Sequence, residues 1–131
     1  MQNPLRSRSL NSRGMTLLEI MIVLAIVGSL AAMLIPQVLS RYKSAQMKQA
    51  KVAIGQLIQA LNNYQIDCGK YPPTLDGLSK ADADCPNWGP DPYMKKVPKD
   101  PWNKDFVYEV KGNNFTIISN GSGKEISSDD L

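Results

Sequence analysis

The sequence predicts an α+β protein. One long N-terminal helix should carry, on its C-terminal half, a small antiparallel β-sheet and ordered loops. Three observations predict this. From Ile20 to Ser40 there are twenty-one residues without a charge. Beyond them Ala50, Ala53, Ile54, Leu57, Ile58, Leu61 and Tyr64 recur at spacings of three and four, the stripe of an amphipathic helix. Near the end, Phe106–Lys111 and Phe115–Ser119 are β-prone runs separated by Gly112-Asn113-Asn114, a hairpin signal.

The chain has 131 residues, enough for one small domain and one extended element. Its apolar residues concentrate in 15–39, so the globular part has a small core. The net charge of +3 hides an asymmetry. Residues 1–14 carry +3 from Arg6, Arg8 and Arg13, residues 15–66 carry +3, and residues 67–131 carry −3. A nucleic-acid binder usually has a basic folded domain. Here residues 67–131, beyond the long helix, are acidic, and no nucleic-acid partner is expected.

Residues 1–14 are polar, basic and aperiodic, and are read as a leader kept on the cytoplasmic side of a membrane. An ordinary flexible terminus is the plainer alternative. The uncharged run that follows would span roughly 30 Å as a helix, about one hydrocarbon core. A cleaved secretory signal is shorter than this, and here the apolar pattern passes Ala31-Ala32-Met33 to Leu39, so a retained membrane helix is preferred. Pro36 removes one backbone hydrogen bond and should kink or loosen the helix. The helix is expected from about Met15 to about Gln65. The exported head comprises 41–131: amphipathic helix to about 66, loop 67–105, hairpin 106–119 and a C-terminal loop 120–131.

Gly69 and Pro72-Pro73 stop the helix, and Thr74–Lys80 can form one short helical turn. The prolines at 86, 90, 92, 98 and 101 argue against regular elements between 81 and 105. Trp88, Tyr93, Val97 and Trp102 are interleaved with them, so an ordered loop laid over the helix is expected rather than disorder. A lone hairpin is marginal and needs the helix stripe, with a third strand or the proline loop beside it. Cys68 and Cys85 have no other cysteine and no histidine near them, which argues against zinc. In an exported head they read as a disulfide; two unpaired small hydrophobes are the alternative.

The chain has no histidine, so the commonest general base is missing, and it has no Gly-rich phosphate motif. No catalytic residues are expected. Function should come from the helix. Glu19 is an acid at the start of an apolar run, where a charge is costly. If the chain is cut between Gly14 and Met15, a new amine appears four residues before Glu19. In a staggered parallel bundle, Glu19 of one copy can meet the amine of the next. A carboxylate simply stabilised by the helix macrodipole is the alternative.

Arg13-Gly14-Met15-Thr16-Leu17-Leu18-Glu19 is similar to the prepilin motif of type IV pilins and pseudopilins. The resemblance implies a membrane peptidase that cuts after Gly14 and methylates the amine of Met15, with Glu19 and Pro36 matching the family's glutamate and helix proline. Lys70-Tyr71-Pro72-Pro73, Asp76-Gly77-Leu78 and Val97-Pro98-Lys99-Asp100-Pro101-Trp102 look like the major pseudopilins of type II secretion systems. This implies the subunit of a periplasmic homo-oligomeric filament that drives protein export. Its partners would be the prepilin peptidase, an inner-membrane assembly platform and minor pseudopilins. A type IV pilus or DNA-uptake subunit is the alternative within the superfamily, and a monomeric membrane-anchored binding module the alternative outside it.

Three positions depart from the family. Met15 replaces the usual phenylalanine, and Asn103 stands where glycine usually follows the tryptophan. The family's C-terminal loop binds calcium, but its aspartate near Ser122 is absent here. Asn120, Ser122, Asp129 and Asp130 with nearby carbonyls would make a weak calcium site, and a solvated acidic tail is the alternative.

Overall fold

The computed structural model describes residues 14–131; the leader arginines Arg6, Arg8 and Arg13 lie outside the described residues. The long helix, α1, is Leu17–Cys68, 52 residues. It starts two residues later and ends three residues further on than the stripe and the glycine suggest. It stays helical through Pro36, which can occupy the helix but cannot donate to the carbonyl one turn before it. The chain divides into two compact units between Leu39 and Ser40.

In the first unit, none of the described residues covers the helix. Every leucine, isoleucine, valine and methionine from Met15 to Leu39 is at least 44% exposed. The helix is long and apolar enough to cross a membrane.

The second unit has its own core. From α1 it takes Ala50, Ile54, Leu57, Ala60, Leu61 and Tyr64, and from the remainder Leu78, Cys85, Phe106, Ile117 and Ile126. The stripe read from the sequence is the buried face, with Ala53 and Ile58 at its half-buried margin. Ala60 is an addition, since an alanine contributes little to a hydrophobic pattern. Thr74–Lys80 contains one 3-10 helix, Leu75–Leu78.

The sheet has three antiparallel strands in the order β1-β2-β3: Val107–Lys111, Asn114–Ser119 and Ile126–Ser127. Val107 pairs with Ile118 and Lys111 with Asn114, so the turn is the two residues Gly112-Asn113. Asn114 belongs to β2 rather than to the turn, and Phe106 precedes β1. Gly112 takes φ 59° at the first central position, where a type II′ turn needs glycine. The stretch after Ser119, read from the sequence as loop only, contains β3. It is two residues long, too short for alternation to show, and is fixed by pairing Ile126 with Ser119.

The proline-rich segment is laid on this core as expected. Trp88 donates from Nε1 to the carbonyl of Gly77 at 2.7 Å. Tyr93 meets Tyr64 and Trp88 edge-on at 5.6 and 5.7 Å. Cys68 and Cys85 form a disulfide, with their Cα atoms 5.3 Å apart, tying the end of α1 to that segment.

Candidate functional site

The start of α1 holds the residues the sequence singled out for processing and assembly. A Cβ placed on Gly14 would meet nothing within 4 Å, and Met15 is exposed. The described residues therefore leave the junction between them uncovered. Thr16 sits at the N-cap. Its Oγ1 accepts from the N–H of Glu19 at 3.2 Å, and Glu19 Oε2 accepts from the N–H of Thr16 at 3.3 Å. This reciprocal pair is a capping box, which satisfies two of the donors that a helix start leaves open. Glu19 is thus held at the start of the helix by its own chain.

Thr16 is the functional residue that the reading of the sequence passed over. Its signal was present: threonine, two residues, then glutamate immediately before an apolar run is the capping-box pattern. The bond from the Thr16 N–H is long and uses a neutral donor. A protonated amine in its place would be a charge-assisted donor, roughly twice as strong. The basic residues beyond the apolar run, Arg41, Lys43, Lys48 and Lys51, are all exposed.

The head is organised around a buried polar group. Asp100 is 4% exposed. Its Oδ1 accepts from the N–H groups of Trp102 and Lys104 at 3.1 and 2.6 Å, and its Oδ2 accepts from Ser119 Oγ at 2.9 Å. The Asn103 N–H closes a turn on the Asp100 carbonyl at 2.9 Å. Gly121 packs on this turn: a Cβ there would lie 2.6 Å from both Asp100 Oδ2 and Trp102 Cε3. Asn103 has φ 61°, a left-handed conformation that asparagine tolerates better than other side chains. The turn therefore survives without the family's glycine.

Burial and the bond from its hydroxyl to Asp82 Oδ2, 2.9 Å, raise the pKa of Tyr64. The N–H of Asp84 and that same hydroxyl hold Asp82 below the usual carboxylate range. Burial, and then the neighbouring Tyr71, push Tyr108 up to about 12. These tyrosines serve the fold, since each is bonded within the head: Tyr108 donates to the carbonyl of Pro72 at 2.8 Å.

Two of the residues named for calcium, Ser122 and Asp130, are bonded within the C-terminal segment itself. Ser122 Oγ donates to the carbonyl of Lys124 and accepts from its N–H, at 2.6 and 3.2 Å. Asp130 Oδ2 caps the Ser127 N–H at 3.2 Å, within the 3-10 turn Ser128–Asp130 that carries Asp129. Among the described residues, no group of three or more His, Cys, Asp and Glu side chains is placed to hold a metal ion.

Comparison with known proteins agrees with both ends of the chain. A family model described as the prokaryotic N-terminal methylation motif matches residues 9–35, and one described as type II secretion system protein G matches residues 37–130. The type II secretion system core protein G of Pseudomonas aeruginosa is 42% identical over 125 residues, covering 88% of each chain. That of Escherichia coli K12 is 33% identical, covering 90% of this chain and 87% of its own. The fold is similar to the crystal structure of the major pseudopilin from the type 2 secretion system of enterohaemorrhagic Escherichia coli, with TM-score 0.62 and 23% identity over 71% of this chain and 94% of that one. The chain belongs to the type II secretion system protein G family.

Proposed function

We infer that the chain is a structural subunit of the type II secretion pseudopilus, stored in the inner membrane before it is built into a filament. Family membership supports the secretion role over a surface pilus or DNA uptake. In this reading α1 crosses the inner membrane once, with the leader in the cytoplasm and the head in the periplasm. A prepilin peptidase cuts between Gly14 and Met15 and methylates the Met15 amine, which stays basic. No catalytic role is assigned to any residue, and no step depends on calcium.

The observation that carries the assembly step is the capping box at the head of an uncovered apolar helix. While the subunit is alone, Glu19 accepts from the Thr16 N–H. In a staggered bundle the Met15 ammonium of the next copy replaces that neutral donor. Pairing offsets part of the cost of placing both charges in an apolar medium, and its main effect is to set the stagger. The exposed aliphatic side chains of residues 15–39 exchange lipid for one another. The leader blocks this until it is cut, because no amine exists at Met15 before then.

Two variants test the reading. Gly14→Asp should leave the precursor uncut, and Glu19→Ala should be cut and inserted but assemble poorly. Mass spectrometry of the N-terminus and the yield of sheared fibres measure the two steps. A mature Met15 terminus in the first variant, or normal fibre yield in the second, contradicts the inference.

A further inference from the structure

The head carries a groove of about 540 Å³ that the assembly of α1 does not use. Val97, Phe106 and Tyr108 lie in its lining, and Lys80, Lys96 and Lys99 stand exposed around it. Asp76 and Asp105 also line it, so three cations outnumber two carboxylates. The groove is apolar at the floor and carries a net positive charge, within a stretch, residues 67–131, whose net charge is −3.

A matching surface lies on the other side of the same sheet. β1 is one edge of the sheet and contributes Tyr108 to the groove; β3 is the other edge, and the turn Ser128–Asp130 follows it directly. This turn is ordered in advance. Ser127 and Asp130 form a capping box, and Ser128 Oγ accepts from the Ile117 N–H at 3.1 Å. It presents Asp129 and Asp130, both exposed, followed by the side chain of Leu131, which is 57% exposed.

We propose that the groove beside β1 seats the Ser128–Leu131 segment of a second copy, with Leu131 against the apolar floor and Asp129 and Asp130 toward Lys80, Lys96 and Lys99. Two features argue for a second copy. The charges are complementary, and the two surfaces occupy opposite edges of one sheet. Such a contact is heterologous: each copy offers a different face to each neighbour. When its rotation does not close, a contact of this kind builds an open helical filament. The proposal rests on the filament reading above and adds a head-to-head contact to the helix bundle.

The test uses sheared fibres of the full processed chain, treated with a carbodiimide that joins a carboxylate to an amine in direct contact. The expected result is a ladder of subunit multiples whose linked peptides join Lys80, Lys96 or Lys99 to Asp129 or Asp130. Replacing the three lysines by arginine keeps the charge and removes the reactive amine, so those links should vanish while the fibres remain. Lys96→Glu with Lys99→Glu should lower fibre yield about tenfold, and adding Asp129→Lys should recover it by about threefold. Fibres whose links lie elsewhere, or a normal yield with the two lysines reversed, overturn the proposal and leave the filament reading intact. The same holds if a different protein is linked to the groove. Absence of any self-linked ladder in cells that make the processed chain overturns the filament reading, and the groove contact with it.

Discussion

The two units bury their apolar residues in opposite ways. Between Met15 and Leu39 the large aliphatic side chains are left at least 44% exposed, and the side-chain hydrogen bonds among the described residues are local: the capping box at the start and the bond from Ser29 Oγ to the Ile26 carbonyl. From Ser40 onward the same helix buries Ile54, Leu57, Leu61 and Tyr64 completely, and a polar network holds the loops on it. The first unit finds its partners outside the chain, whereas the second finds them inside. A change in the first should therefore alter processing and assembly with little effect on the melting of the head. A change in the second should alter that melting while Gly14 is still cut.

The largest expected effect on the head comes from the disulfide. Cys68 and Cys85 close a loop with a sequence separation of 17. Replacing both by serine should cost about 3 kcal/mol in the chain-entropy model. Thermal unfolding of the head with and without reductant measures this, and equal melting temperatures would contradict it. N-terminal mass spectrometry of the same variant should still find Met15. Gly121→Ala comes next. The added methyl would lie 2.6 Å from Asp100 Oδ2 and from the Trp102 ring, and Asp100 is already held by three donors. Neither neighbour can give way freely, so a loss of about 1–3 kcal/mol is expected from overpacking. An unchanged melting temperature would show that the network yields more easily than its hydrogen bonds suggest.

The same contrast explains what was legible in the sequence. The first unit could be read because its chemistry is local: Gly14, Glu19 and an uncharged run are adjacent in the chain. Even the residue passed over, Thr16, lies three positions from its partner. The helix stripe and the hairpin were also legible, because periodicity and a turn glycine are short-range signals. The Asp100–Ser119 bond joins residues nineteen apart, and the contact of Gly121 with Trp102 is as distant. No spacing announces such pairs. β3 was hidden for the same reason, since its two residues become a strand only by pairing with β2.

Alkaline titration probes the head alone. Tyr108 titrates near 12 in the folded protein against 10.0 for the free side chain, and Tyr64 is raised as well. Raised folded pKa values contribute stability that is fully present below pH 10 and is lost as the pH rises through the folded values. The melting temperature of the head should hold up to about pH 10 and fall between 10 and 12. Absorbance at the phenolate band should show these tyrosines ionising late or together with unfolding. Early ionisation of all the tyrosines, with the fold intact, would contradict their burial.

Asn103 gives the smallest effect and the sharpest test of how the head tolerates a departure from its family. Asp100-Pro101-Trp102-Asn103 is a turn closed by the Asn103 N–H, and Lys104 then pairs with Asp100 through both its N–H and its carbonyl. The residue between turn and pair must take a left-handed φ, which is why glycine suits the position. Asparagine meets the same demand with φ 61°. Alanine has no polar side chain to ease that conformation, so Asn103→Ala should cost about 1 kcal/mol. Asn103→Gly should change stability by less than about 0.5 kcal/mol, because relief of backbone strain opposes the larger entropy of the unfolded chain. Melting curves of the two variants separate backbone conformation from any contact of the Asn103 side chain. If glycine is as damaging as alanine, the side chain rather than the φ angle fixes this turn, and the head depends on a contact beyond those of its backbone.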